Sequence, residues 1–361
     1  MADKTKIEWA DATVNTVYGC TKVSPGCQNC YAVGQTRRQS FLNCAALMST
    51  LDPDTYWNTN GPYDWSGKVM VHPRADDRMG QVMSWTKPRR IFWNSMADTF
   101  HDGVPWDHLV AMFATMAVAA NHTHLVLTKR PERMAEVINN LAFRDDVTTT
   151  LDLWAGTLTK RQYRQMHEGP DGVTWPLPNV LLGFTAEDQD RFNRRWDAMA
   201  PLADDGWRVF VSAEPLLGPL DIPREVLMGS YPVPQPLPGL YADGPRLSWV
   251  IVGGESGPNA RPMDPQWVRQ IVEDCQDAGV PVMFKQWGEW LPGVAFTVGR
   301  SARVRYMDGS MDVDHPTTLR YPDHWWGGDA FDGRLSTHVG KKAAGRLLDG
   351  QEHMQFPEGV G

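Results

Sequence analysis

Apolar positions recur along the chain in short runs, separated by stretches with helical spacing. Six runs rich in β-branched and aromatic residues read as strands: RIFWNSM (90–96), THLVLTKR (123–130), NVLLGFTAE (179–187), RVFVSAEP (208–215), LSWVIVGGE (247–255) and VPVMFKQWG (280–288). ATVNTVYGC (12–20) is a weaker first strand. The clearest helical patterns are WDHLVAMFATMAVAA (106–120), PERMAEVINNLA (131–142), QDRFNRRWDAMAPL (189–202) and PQWVRQIVEDCQDAG (265–279). Near-continuous apolar strands imply a sheet covered on both faces, and their alternation with helices implies parallel pairing. The predicted class is α/β, a partial or full (β/α) TIM-like barrel; a doubly wound open sheet is the alternative.

The polar residues favour the barrel. Nearly every predicted strand ends in one: Asn94 and Ser95, Lys129, Thr185 and Glu187, Glu214, Glu255, then Lys285 and Gln286. Barrel active sites gather side chains from the C-terminal ends of several strands. Each such residue taken alone is equally a helix cap or a strand terminator. Residues 43–90 form an irregular insertion rich in Trp, Pro and Asp, and 222–246 form a proline-rich loop. The barrel domain is therefore expected over 1–292, with 293–361 an appended C-terminal subdomain packed on it.

Composition narrows the class. The chain has 361 residues, 42% hydrophobic and 22% charged, enough for a large core. A formal net charge of −8 argues against loose, charge-driven DNA binding, while leaving room for a local basic groove. No apolar run approaches the ~18–20 residues that span a bilayer. The opening MADKTKIEWADATVN is too polar for a secretory signal. A cytoplasmic protein without a membrane partner is expected.

Three of the five cysteines, Cys20, Cys27 and Cys30, fall in GCTKVSPGCQNCYA with the spacing Cys-x6-Cys-x2-Cys. In a reducing compartment such clustering points to metal ligation rather than disulfides. The close pair places two thiolates on one centre, and Pro25 and Gly26 turn the chain so that the first can join them. Iron–sulfur clusters are held by thiols spaced in this way. Three protein ligands leave one iron of a 4Fe-4S cluster open; in radical S-adenosylmethionine (SAM) enzymes that iron chelates SAM. Zinc is the competing metal, and Cys44 is its candidate fourth ligand, without the paired second half usual in zinc sites. Unliganded, redox-active thiols are a third reading. Cys275 sits in a helical pattern and reads as a core thiol.

Other residues carry weaker signals. In GGESG, Gly253 and Gly254 at a strand end would let a ligand approach the backbone, and Glu255 could accept from an amino group or ribose. Thr185 and Glu187 in GFTAED could contact a ribose or start the next helix. Ser95 and Glu214 complete the candidate cofactor-binding set. Lys129 could bind a phosphate or carboxylate, and Asp98 and His101 could take part in acid–base or polar contacts. His122 and His124 lie at the start of a strand, away from the expected active face, and read as structural. Sixteen tryptophans serve mainly packing, with some available to stack on a base.

Seven blocks in order, IEWADATVNTVYGCTKVSPGCQNCYA, PRRIFWNSMADTFHDGVP, LTKRPERM, VSAEPLLGPL, WVIVGGESGPNARPM, FKQWGEW and GKKAAGRLLDG, resemble the signature blocks of a phage and prophage protein family regarded as radical-SAM-like. The resemblance runs from about residue 6 to 357. It implies a barrel of the radical SAM type, a 4Fe-4S cluster on Cys20, Cys27 and Cys30, and SAM as cofactor. Two features depart from the commonest pattern. The first cysteine gap holds six residues instead of three, and NSMAD (94–98) stands where many such enzymes carry a GGE block. The phage context implied by the resemblance makes a nucleotide or nucleic-acid base the expected substrate. A reducing partner such as a flavodoxin or ferredoxin would be needed. The alternative function is a zinc- or iron–sulfur-binding protein without SAM chemistry, acting as a nucleic-acid-binding or redox factor.

Overall fold

The computed structural model describes residues 5–42, 44–57, 63–166, 173–229, 246–257, 259–292, 294–298, 301–305, 312–315 and 336–360. Most of the proline-rich stretch and much of the expected C-terminal subdomain therefore lie outside the described residues. The elements run β1 (Ala12–Val14), β2 (Val17–Tyr18), α1 (Tyr31–Leu42), α2 (Pro53–Tyr56), β3 (Met70–Val71), α3 (Ala75–Ser84), β4 (Arg90–Trp93), α4 (Trp106–Val118), β5 (Thr123–Thr128), α5 (Pro131–Ile138), α6 (Leu141–Ala155), α7 (Lys160–Met166) and β6 (Val180–Thr185). They continue with α8 (Gln189–Asp204), β7 (Arg208–Ala213), α9 (Arg224–Met228), β8 (Trp249–Gly253), α10 (Pro265–Ala278) and β9 (Val282–Gln286). The C-terminal part adds β10 (Trp290–Pro292), β11 (Val294–Val298), β12 (Ser301–Arg305), β13 (Asp312–His315), β14 (Ser336–His338) and α11 (Lys341–Ala344).

The chain is mixed α/β. Seven strands form one sheet in the order β1-β4-β5-β6-β7-β8-β9. Chain order and sheet order agree without a reversal, as in a partial (β/α) barrel; a doubly wound sheet needs a point where the order turns back. β1, β4, β5 and β6 pair in parallel, as do β8 and β9. The predicted first strand breaks in two: β1 joins this sheet, while β2 pairs antiparallel with β3 from within the expected insertion. That insertion is also less irregular than expected, since α3 lies in it. Beyond β9 the pairing becomes antiparallel, β10 with β14 and β11-β12-β13 in a second small sheet.

Two compact units divide the chain: Met1–Thr185, Arg194–Phe210 and Glu358–Gly361 form the first, and Ala186–Asn193 with Val211–Pro357 the second. In the first, β6 is buried along its whole length, which explains its unbroken apolar run. Its one gap in side-chain volume, Gly183, is filled by the Phe210 ring, which occupies the place a Cβ would take. His124 is also core. Its Nδ1 accepts from the Trp93 indole at 3.0 Å, its Nε2 faces the Ala119 carbonyl at 3.2 Å, and burial pushes its pKa down to about 3.

In the second unit α10 shows how local sequence sets an element. Asp264 caps it by accepting from the Gln266 amide at 2.8 Å, and Pro265 follows at a position that has no use for an N–H. Val268, Ile271, Val272 and Cys275 make the buried face at helical spacing, and Gly279 ends the helix with φ of 70°. Burial pushes the Cys275 thiol up to about 12, as befits a core residue.

Gly183→Ala is expected to destabilise the protein by about 1–3 kcal/mol, because the Phe210 ring has to give way. Equilibrium denaturation in urea reads it; an unchanged midpoint would show that the ring has room to shift.

Candidate metal centre and polar strand ends

The cysteine loop begins at Gly19, which has φ of +90°. A Cβ there would run into the Lys68 carbonyl and the Thr50 side chain, so only glycine lets the chain turn into Cys20 at this point. A parallel bridge between Gly19 and Ala97 fixes the start of the loop beyond the end of β4. Ser24 precedes a 3-10 turn over Pro25–Cys27, with Cys27 N donating to the Ser24 carbonyl at 2.9 Å. Pro25 and Gly26 thus make the turn that the spacing implied. The Ser24 hydroxyl lies 3.6 Å from the Cys27 sulfur. Cys30 stands just before α1, and the Ala32 and Val33 amides of its first turn bond to the Cys30 sulfur.

The three thiols are half-buried and free. Cys20 and Cys30 pack, together with Cys44, against an apolar cluster that includes Tyr18, Leu47, Leu51, Trp65 and Met96. Cys30 feels the charge of Cys27, and Cys20 feels that of Cys30. Burial first, then the Asp98 carboxylate, pushes the Cys20 thiol up to about 11, with the Arg130 guanidinium pulling the other way. Burial likewise raises Cys30, against its two amide bonds and the Lys129 ammonium. Among the described residues, no three His, Cys, Asp or Glu side chains converge as a formed ion cage.

Around the loop stands a polar network that sequence reasoning reached only in pieces. Asp98 accepts from the Phe100 amide (3.0 Å) and the Thr128 hydroxyl (2.5 Å) on one oxygen, and from the Lys129 amide (2.9 Å) and Arg130 Nη1 (3.0 Å) on the other. Arg130 Nη1 also lies 3.7 Å from the Cys20 sulfur, while its Nη2 donates to the Thr21 carbonyl (3.0 Å) and hydroxyl (2.6 Å). His101 Nδ1 accepts from the Gly103 amide at 3.0 Å, so the neutral ring carries its proton on Nε2, 3.0 Å from the Thr21 hydroxyl. Burial and then Arg130 hold the His101 pKa below its ordinary value. Asp98, His101 and Lys129 are therefore gathered at the cysteine loop. Arg130 completes the group, and its place next to Lys129 at a strand end was the signal for it.

The other candidates are engaged within the chain. In the first unit the Ser95 hydroxyl donates to Asn15 at 3.0 Å. Buried Asn94, with φ of 54°, accepts from the Thr16 and Val17 amides at 2.8 and 3.0 Å. Thr185 is buried, and its carbonyl accepts from Arg195 at 2.6 Å. In the second unit Glu187 is fully buried, and its carbonyl accepts from the Leu217 amide at 2.7 Å. Glu214 pairs with Lys285 at 2.9 Å and accepts from Ser212 at 3.3 Å. Glu255 takes three bonds from Arg261: the amide at 2.9 Å, Nε at 2.8 Å and Nη2 at 2.6 Å.

The glycines of GGESG answer to this packing. A Cβ on Gly253 would strike the Glu214 carboxylate, and one on Gly254 would strike the Trp287 carbonyl. Gly254→Ala is therefore expected to cost more stability than Gly253→Ala. A carboxylate at the end of a side chain can swing aside, whereas the backbone carbonyl cannot. Gly253→Ala should stay in the overpacking range of about 1–3 kcal/mol. Thermal unfolding of the two variants decides it, and equal losses would contradict the assignment.

Among the described residues no helix is long and apolar enough to cross a membrane. No curated protein and no solved structure matches the chain. One family model, that of the protein of unknown function DUF5131, matches residues 4–357, nearly the whole chain, and the chain belongs to that family.

Proposed function

We propose that this protein is a radical SAM enzyme whose Cys20, Cys27 and Cys30 hold a 4Fe-4S cluster. The observation that carries the reading is the surroundings of the three thiols. Helix amides meet Cys30, two adjacent cations from the end of β5 act on Cys30 and Cys20, and an apolar cluster lies behind them. Thiolates bound to iron gather negative charge in a low-dielectric setting, and donors and cations of this kind offset it. Three free thiols, with amide and cation donors beside them, are the donor chemistry that such a cluster takes, although they do not converge as a cage for a single ion. A cluster held there would supply the electron for reductive cleavage of SAM into methionine and a 5′-deoxyadenosyl radical.

The chain's own part is to bind, orient and shield. The Asp98–Arg130 pair ties the cysteine loop to the end of β5. Ser24 and the turn at Pro25–Cys27 present the middle cysteine. We assign the substrate to the nucleotides or nucleic-acid bases. Tyr31, next to Cys30, is 58% exposed and offers a stacking face, its hydroxyl anchored to the Ser95 carbonyl at 2.9 Å. A low-potential electron donor such as a flavodoxin or ferredoxin, and a cytoplasmic setting, complete the proposal.

A second reading has its own observation. Cys44 packs against the same apolar cluster as Cys20 and Cys30, which makes it the candidate for a fourth zinc ligand. One experiment separates the two. Protein reconstituted with iron and sulfide without oxygen, then reduced with dithionite in the presence of SAM, is expected to release 5′-deoxyadenosine. Cys20→Ala, Cys27→Ala and Cys30→Ala should each abolish the release, and Cys44→Ala should leave it intact. Retention of zinc that Cys44→Ala strips, with no 5′-deoxyadenosine from the unmodified chain, would replace the enzyme reading with the zinc one.

A further inference from the structure

We propose that Arg130 is a positioning residue that sets the reduction potential of the centre on the three cysteines. The inference rests on the iron–sulfur reading above and adds to it the residue that tunes the site. The Arg130 guanidinium is fixed on three sides. Nη1 is held by Asp98 at 3.0 Å and faces the Cys20 sulfur at 3.7 Å, while Nη2 bonds to both the carbonyl and the hydroxyl of Thr21. The Arg130 and Asp98 side chains are only 12% and 7% exposed, so water screens the charge weakly. A lysine could bring the charge but not the fork that reaches a carboxylate, a sulfur and a carbonyl together.

The charges around the loop predict the direction. Reduction adds one electron to the centre: the sulfur dioxide radical anion from dithionite gives it up and becomes sulfur dioxide, and no bond or proton moves at the protein. The reduced state carries one more negative charge. A cation and an N–H aimed at a ligand sulfur stabilise that state and raise the potential. Lys129 adds a second cation that acts on Cys30. Asp98 works against Arg130 at Cys20, because its carboxylate acts on that sulfur as a like charge while it holds Arg130 in place. Asp98 and Arg130 therefore pull the potential in opposite directions, although each supports the same local geometry.

The test is an anaerobic redox titration, followed by electron paramagnetic resonance, of the full chain and of Arg130→Gln, Arg130→Lys and Asp98→Asn, with iron and sulfide counted in each. Poised at the midpoint of the unmodified chain, Arg130→Gln is expected to show a reduced-to-oxidised ratio lower by about tenfold, equivalent to ~59 mV for one electron. Asp98→Asn should move the ratio the other way, and Arg130→Lys, which keeps the charge without the fork, should fall between Arg130→Gln and the unmodified chain. Loosening of the loop alone would shift Arg130→Gln and Asp98→Asn in the same direction, and that result overturns the proposal. An unchanged midpoint in a fully loaded Arg130→Gln protein overturns it too, while leaving the iron–sulfur reading intact. If Arg130→Gln does not load, the sign of the Asp98→Asn shift decides. An unmodified chain that takes up no cluster brings down both readings.

Discussion

One carboxylate organises the candidate centre. Asp98, itself buried, collects two backbone amides, a threonine hydroxyl and a guanidinium, leaving neither oxygen idle. Removing one partner of a buried ion pair of this kind typically costs about 3–5 kcal/mol, because the other charge is stranded. Through Arg130 the same carboxylate reaches Thr21, the residue after the first cysteine. Through Thr128 and Lys129 it reaches the end of β5. The cysteine loop is therefore not a free excursion. It is bolted to the sheet by charge, and that bolt sits where a thiolate-bound metal would need compensating positive charge.

Much of this was legible in the sequence, for identifiable reasons. Strands buried on both faces have unbroken apolar runs, so β5, β6, β8 and β9 were found close to their true ends. The capped, periodic α10 was found for a similar reason, and α4 by its long apolar run between Pro105 and β5. α6 was missed beyond its first residues: its run of three threonines lowers helix propensity, and packing overrides it. The first strand was read as one piece, but buried Asn94, in a left-handed conformation, captures the amides of Thr16 and Val17, and the chain breaks there. Such a break depends on a partner almost eighty residues away, which no local pattern encodes.

The candidate site divides in the same way. The cysteine spacing marked its own loop, and the turn at Pro25–Cys27 is the one its composition called for. The polar strand ends were a less specific signal. Asn94, Ser95, Glu214 and Glu255 do lie just beyond strands, yet each is spoken for by Thr16, Asn15, Lys285 and Arg261 respectively. A pattern of polar residues at strand ends marks where a chain must satisfy its own charges as readily as where it binds a ligand. Lys129 and Arg130 show the difference. Their value came from the thiols they face, a relation visible only after folding.

The proposed radical SAM activity requires Cys20, Cys27 and Cys30 to hold four irons, and native mass spectrometry of protein purified without oxygen tests that directly. The predicted result is a mass increment of four iron and four sulfide per chain, lost when Cys20, Cys27 and Cys30 are replaced together and kept when Cys44 is replaced. A single zinc per chain that departs with Cys44, or a chain that carries no metal after iron and sulfide are supplied, would contradict it.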